Sequence, residues 1–233
     1  MRLDKAIARN GLTRQMAKKA IAGGRARVNG NVVLDPGYLL KPEDEVLLDG
    51  ENARAPENVH LMLHKPAGFL TATEDARGER TVLDLLPEKI RMRKVGPVGR
   101  LDKDVTGLLI LTTDGQLAHR LISPKWDVEK TYYAEIEGEI DDECVRRFAE
   151  GVPLKEFTCK PARLERAGAG ACRVYVSEGK YHQVKRMIAA CGATVTYLKR
   201  VQLGNVRLDE SLAPGEFREL AAEELASLRP PDA

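Results

Sequence analysis

The 233-residue chain lacks much of what enzymes commonly depend on. It has four cysteines, Cys144, Cys159, Cys172 and Cys191, no two closer than 13 positions and none in a C-x-x-C pair. That spacing excludes the usual thiolate metal motifs, and a disulfide framework is not expected in a chain this long. No apolar run reaches the roughly 18–20 residues that span a bilayer. The N-terminal Met1-Arg-Leu-Asp-Lys-Ala-Ile-Ala-Arg9 carries charge at every turn and has no apolar signal-peptide core, so a cytoplasmic protein without membrane association is expected. A dinucleotide fingerprint and a P-loop are absent, so no nucleotide cofactor is expected. His60 and His64 lie four apart on strand-like sequence, too far apart to chelate well, so no metal site is expected. Internal repeats and low-complexity tracts are missing.

Acids are also scarce in one place. Residues 1–30 hold eight Lys or Arg (2, 5, 9, 14, 18, 19, 25, 27) against one acid, Asp4, while residues 31–60 hold two basic residues against seven acids. The net charge of +2 hides this separation. A basic face on a balanced protein implies an anionic partner, whereas a merely solvated face would not need the acids to be excluded.

What is present reads in order as follows. Residues 3–10 suggest a short helix broken by Gly11. Thr13 is a candidate N-cap for a second helix, Arg14 to Ile21, ended by Gly23-Gly24. Asn29-Gly30 between two short runs signals a hairpin, and Glu45 to Leu48 offers a third strand. The segment Asp49-Gly-Glu-Asn-Ala-Arg-Ala-Pro-Glu-Asn58 has linker composition, dividing the chain into 1–57 and 58–233.

The second part opens with a strand, Val59 to Lys65, with apolar side chains on alternate positions. A second strand is expected at Phe69–Thr73, and a short helix at Val82–Leu86 capped by Thr81. Lys89, Arg91, Arg93 and Lys94 form a second basic cluster. The buried strand Leu108–Leu111 follows, then a helix at Gln116–Ile122 and a long strand at Val128–Glu137. Asp141 caps a helix to Glu150; strands at Pro161–Arg166 and Ala171–Val176 come next. A helix is expected across Glu178–Gly192 with Lys180, His182, Lys185 and Arg186 on its first turns, then a strand at Val195–Leu203 and a last helix from Ala221. Strands outnumber helices without alternating with them, which indicates an α+β protein.

The most informative stretch is Val98-Gly-Arg-Leu-Asp102-Lys-Asp104-Val-Thr-Gly-Leu-Leu-Ile-Leu111. A charged turn feeds a buried strand, so Asp102 sits on a loop held by a rigid element. Taken alone, Asp102 reads as an ordinary turn residue. Two other pieces change that: Glu129-Lys-Thr-Tyr132 and Glu178-Gly-Lys-Tyr-His-Gln-Val-Lys-Arg-Met187. Together the three resemble the RNA pseudouridine synthases, most closely the small-subunit type A branch. Arg2-Leu-Asp-Lys-Ala-Ile-Ala, the Arg/Lys helix and Arg25-Ala-Arg-Val-Asn-Gly resemble the small RNA-binding domain named after ribosomal protein S-four.

The resemblance implies a helix–helix–hairpin RNA-binding domain at 1–57. It implies a pseudouridine synthase domain at 58–233, with a mixed, mostly antiparallel sheet flanked by helices. It implies that Asp102 acts at the ribose, that Tyr132 packs on the flipped base, that Lys185 pairs with Asp102, and that Arg100 enters the gap left by that base. RNA contacts are expected from Arg2, Lys5, Arg14, Lys18, Lys19, Arg25, Arg27 and Arg186. The expected partner is ribosomal RNA or an assembling ribosomal subunit, bound by a monomer. Isomerising uridine moves neither electrons nor phosphate, so no cofactor is expected. Asp102 and Asp104 remain open as an acid/base pair, as in a glycosidase or nuclease. A large-subunit target and a non-catalytic assembly factor also remain open.

Overall fold

The structure is a computed structural model that describes residues 1–8, 12–41, 43–53 and 58–228. The charge at Arg9, the end of the first expected helix, linker residues 54–57 and the Arg-Pro-Pro tail lie outside the described residues. The chain forms two compact units, Met1–Asn58 and Val59–Ala233.

The first unit contains α1 (Leu3–Ala8), α2 (Arg14–Ala22), β1 (Ala26–Val28), β2 (Asn31–Val32), β3 (Val46–Leu48) and β4 (Glu51–Asn52). Thr13 Oγ1 accepts from Met16 N at 3.2 Å and caps α2. Asn29 and Gly30 both take positive φ, 50° and 81°, the primed turn that suits a two-residue hairpin. Leu3, Ile7, Ala17, Ile21, Ala26, Val28 and Val46 make its core. These residues recur at helical spacing on α1 and α2, which leaves Arg14, Lys18 and Lys19 on the outer, exposed face.

The second unit is built on β5 (His60–Lys65), α3 (Glu88–Arg91), β6 (Gly96–Pro97), β7 (Thr106–Thr112), α4 (Gly115–Ile122), β8 (Lys130–Glu137), α5 (Asp142–Glu150), β9 (Arg163–Arg166), β10 (Ala171–Val176), α6 (Gln183–Ala189), β11 (Thr194–Leu203), β12 (Val206–Arg207), β13 (Phe217–Glu219) and α7 (Ala222–Ser227). The main sheet runs β13-β5-β7-β11-β8-β10-β9, with β6 on β7 and β12 on β11. Among the described strands of this sheet only β7 and β11 pair in parallel; the other strand pairings are antiparallel. The protein is therefore α+β, with a mixed, mostly antiparallel sheet. Among the described residues no helix is long and apolar enough to cross a membrane.

Strands β5 and β7 are buried along their whole length, because each face meets a separate core. Leu61, Leu63, Leu109 and Leu111 join the larger cluster, with Phe148 of α5 and Met187 and Ile188 of α6. Met62, Leu108 and Ile110 join a second cluster with Leu117 and Leu121 of α4. The alternation expected along Val59–Lys65 is thus absent, since there is no wet face for polar residues to meet.

Three expected elements differ. Phe69–Thr73 is not a strand; Leu70 makes one isolated bridge to Thr81, and the Thr71 side chain is spent on the loop at Leu101. Val82–Leu85 is a 3-10 turn, because Asp84 turns back to accept from Thr81 N at 2.7 Å and shortens the segment. The helix expected from Glu178 starts only at Gln183, after His182 adopts a left-handed φ of 49°. Residues 178–182 are loop.

The β7–β11 pairing depends on one glycine. Gly107 stands opposite Arg200 with φ +104°, and a Cβ there would lie 2.2 Å from the Arg200 carbonyl oxygen. Any other residue would push the two halves of the sheet apart.

Candidate active site

The loop between β6 and β7 carries Arg100, Asp102 and Asp104, and it is tied down from three sides. Fully buried Lys65, at the end of β5, donates from Nζ to the carbonyls of Val105 at 2.8 Å, Asp102 at 3.1 Å, Pro66 at 3.1 Å and Lys103 at 3.3 Å. Thr71 Oγ1 donates to Leu101 O at 2.7 Å and accepts from Leu101 N at 3.2 Å. Gly68 N donates to Lys103 O at 2.8 Å. Burial pushes the Lys65 ammonium down to about 8, against the pull of Asp104 and Asp102.

Within the loop, Val105 N donates to Asp102 O at 3.1 Å, closing a four-residue turn. The turn separates its two carboxylates. The Asp102 side chain is 30% exposed and faces inward, whereas that of Asp104 is 71% exposed. Asp102 Oδ2 lies 3.7 Å from His182 Nε2 and 3.9 Å from Lys185 Nζ. Lys185 makes its direct bonds to Asp104, at 2.7 and 2.6 Å. Those bonds hold the Asp104 carboxyl below the usual carboxylate range, against the upward push of burial. The pairing expected between Lys185 and Asp102 is thus a looser contact, because Asp104 reaches α6 first.

Arg100, Asp102, Tyr132 and Lys185 line one cavity, together with His182, Val176 and Leu198. Tyr132 comes from β8, where Val174 and Arg200 flank it across the neighbouring strands. The left-handed backbone at His182 turns its ring toward Asp102, with Tyr181 stacked on it at 3.8 Å. The cavity measures about 60 Å³ and is open to solvent on one side. Lys185 lines the cavity, whereas Asp104, which it bonds, does not.

Other expected residues are placed elsewhere. Arg186 pairs with Glu156 and lies over the Phe157 ring at 5.6 Å; it does not line the cavity, because one residue along α6 turns its side chain away from Lys185. In the first unit Arg2 bonds Asp4 at 3.2 and 3.1 Å, Arg25 is paired with Asp49, and Arg27 donates to Gly30 O at 3.0 Å. These three are partly committed to holding their own unit together. Lys5, Arg14, Lys18 and Lys19 are exposed. His60 Nδ1 meets the Thr112 hydroxyl at 2.9 Å and His64 Nδ1 meets Leu212 O at 2.7 Å, so each ring serves the fold.

Sequence reasoning missed Lys65, Thr71 and the proximity of His182 to Asp102. A faint signal existed for Lys65: a cation closing an otherwise apolar strand, immediately before Pro66, must either reach solvent or find carbonyls.

Comparison with known proteins agrees with this architecture. Residues 59–190 match the model of the RNA pseudouridylate synthase family, and residues 1–46 match the S4 domain. The chain is 44% identical to ribosomal small subunit pseudouridine synthase A of Escherichia coli, over 98% of this chain and 100% of that protein. It is 44% identical to an uncharacterised RNA pseudouridine synthase of Bacillus subtilis over the full length of both. A crystal structure of a pseudouridylate synthase matches with TM-score 0.71 at 39% identity, covering 98% of this chain and 100% of the other. The chain belongs to the RNA pseudouridylate synthase family. It is accordingly an RNA-modifying isomerase with an S4 domain at its start.

Proposed function

We propose that the protein converts a uridine of small-subunit ribosomal RNA to pseudouridine, with Asp102 as its essential carboxylate. The observation that carries this reading is the placement of Asp102 on a clamped loop, with Lys185, His182 and Tyr132 in one cavity. The full-length likeness to a small-subunit enzyme supports the choice of RNA.

The reaction breaks the N1–C1′ bond, turns the uracil, and joins C5 to C1′; the C5 proton is released and N1 ends protonated. Charge of oxocarbenium type develops at C1′ as the first bond breaks. An ionised carboxylate beside it either adds to C1′ or takes a ribose proton, and Lys185 Nζ stands 3.9 Å from Asp102 Oδ2. Unstacking the uridine costs a few kcal/mol, and packing on Tyr132 returns about 1–3 kcal/mol. Arg100, at the rim, fills the gap in the RNA stack. Residues 1–57 act as the RNA-binding domain and residues 58–233 as the catalytic domain. Arg14, Lys18, Lys19 and Lys5 engage phosphates, supplemented by the exposed Lys89, Arg91, Arg93 and Lys94. The reaction needs only one cleft, so we take the monomer as the working form, in the cytoplasm where ribosomes are assembled.

Tritium release from C5-labelled uridine in small-subunit rRNA tests the reading. The native protein is expected to release one equivalent per RNA, and Asp102→Asn none, with RNA affinity kept within a few fold. Tritium release at the native rate by Asp102→Asn would refute the role of Asp102. Release only from large-subunit rRNA would move the target.

A further inference from the structure

The sheet has a second open face, behind the Asp102 cavity. Strand alternation puts Tyr132, Val174 and Leu198 on the cavity side and leaves Tyr133, Arg173, Tyr175 and Lys199 on the other. The second core cluster takes no residue from β8, β9 or β10, so α4 and α7 leave this half of the sheet uncovered. A trough of about 650 Å³ lies there.

Register sets the chemistry of its floor. Tyr133 stands directly between Arg173 on β10 and Lys199 on β11. Beyond Arg173 comes Glu165 on β9, but that carboxylate is already taken, by Arg163 and by the Tyr175 hydroxyl at 2.7 Å. Among the described residues Arg173 and Lys199 form no ion pair. Arg163 lies over the Tyr175 ring at 3.5 Å, so that aromatic is also paired with a cation. Four basic side chains line the trough, with Arg207 as the fourth, against the acids Glu129 and Glu210. Two unpaired cations held on either side of a ring repel one another until an anion joins them. Rings alternating with cations on an open sheet suit a strand of bases and phosphates. Protein partners seldom supply that alternation.

We infer that this back face binds a single-stranded stretch of the substrate RNA outside the cavity, with phosphates on Arg173 and Lys199 and a base on Tyr133. The inference rests on RNA being the substrate.

The test uses the full chain, the double variant Arg173→Gln/Lys199→Gln, Tyr133→Ala and Tyr133→Phe. The probe is fluorescein-labelled small-subunit rRNA transcript, titrated between about 50 and 200 mM KCl. The double variant is expected to bind at least five-fold more weakly, with the slope of log K against log salt smaller by about 1.4, since each single-strand phosphate contact contributes roughly 0.7. Tyr133→Ala should lose at least five-fold and Tyr133→Phe less than two-fold. Unchanged turnover at saturating RNA and an unchanged Tm separate this surface from the cavity and from folding. Native affinity and slope in an active double variant would overturn the inference and leave the substrate assignment standing. Weakened binding alongside a native protein that forms no pseudouridine in this RNA would do the reverse. Native rRNA affinity combined with lost cosedimentation with assembling subunits would assign the face to a protein and overturn the inference.

Discussion

Lys185 binds both carboxylate oxygens of Asp104, at 2.7 and 2.6 Å, and stands 3.9 Å from Asp102. One cation thus serves two carboxylates only two residues apart, and the outer one holds it.

This arrangement separates the two acids by experiment. Asp104→Asn removes the outer anchor and is expected to keep turnover within about ten-fold of native, whereas Asp102→Asn loses about 10³-fold or more. Single-turnover tritium release measures both. Equal losses in the two variants would restore the acid/base pair as the working reading.

Tyr132→Phe keeps the ring and should stay within about two-fold of native turnover. Tyr132→Ala forfeits stacking of about 1–3 kcal/mol, which corresponds to roughly 5- to 150-fold in kcat/KM. A large effect in the phenylalanine variant would instead assign the chemistry to the hydroxyl.

Lys65→Met leaves the carbonyls of Asp102, Lys103 and Val105 buried without their donor, and should cost about 2–3 kcal/mol of stability. The variant also tests the titration of Lys65. Its folded value, about 8, lies below its ordinary 10.5, so between these two pH values the unfolded chain binds more protons than the folded one. Native stability relative to the variant should therefore rise with pH across that window, by at most about 1.4 kcal/mol per pH unit. Urea midpoints of both proteins at about pH 8, 9 and 10, inside that window, measure the difference.

Gly107→Ala places a methyl group against the Arg200 backbone at a φ that side chains rarely adopt. A loss of more than about 2 kcal/mol is expected. Thermal unfolding would show it as a lowered Tm before any change in RNA affinity of the folded fraction.

Removing residues 1–57 should weaken rRNA binding and reduce its salt dependence, because the removed segment carries the exposed cations of α2. The remaining chain keeps both of its own hydrophobic clusters, so a cooperative melt is expected. Global unfolding of this fragment would contradict the proposed domain boundary.

Much of the fold was legible because most elements carry their own local signals. The Asn29-Gly30 turn, the Asp141 cap and the apolar run at Leu108–Leu111 each announce an element within a few residues. Asp102, Tyr132 and Lys185 were legible through motif likeness, and the fold gathers them in one cavity. Two kinds of feature were hidden. The burial of both faces of β5 is a tertiary fact, since His-Leu-Met-Leu-His-Lys alternates in composition without a wet side. The choice of Asp104 over Asp102 by Lys185 depends on a turn closed by one backbone bond, below the resolution of any spacing argument. The late start of α6 was hidden for a related reason: its loop has helical composition, and only the left-handed residue His182 interrupts it.

The single parallel pairing has a consequence for how activity arises during synthesis. Asp102 sits on the loop leading into β7, whereas Tyr132 is on β8 and Lys185 on α6, in the half joined to β7 at Lys199–Thr106 and Arg200–Gly107. Under the proposed roles the site is complete only when that seam is closed, so a copy truncated before β11 is expected to form no pseudouridine.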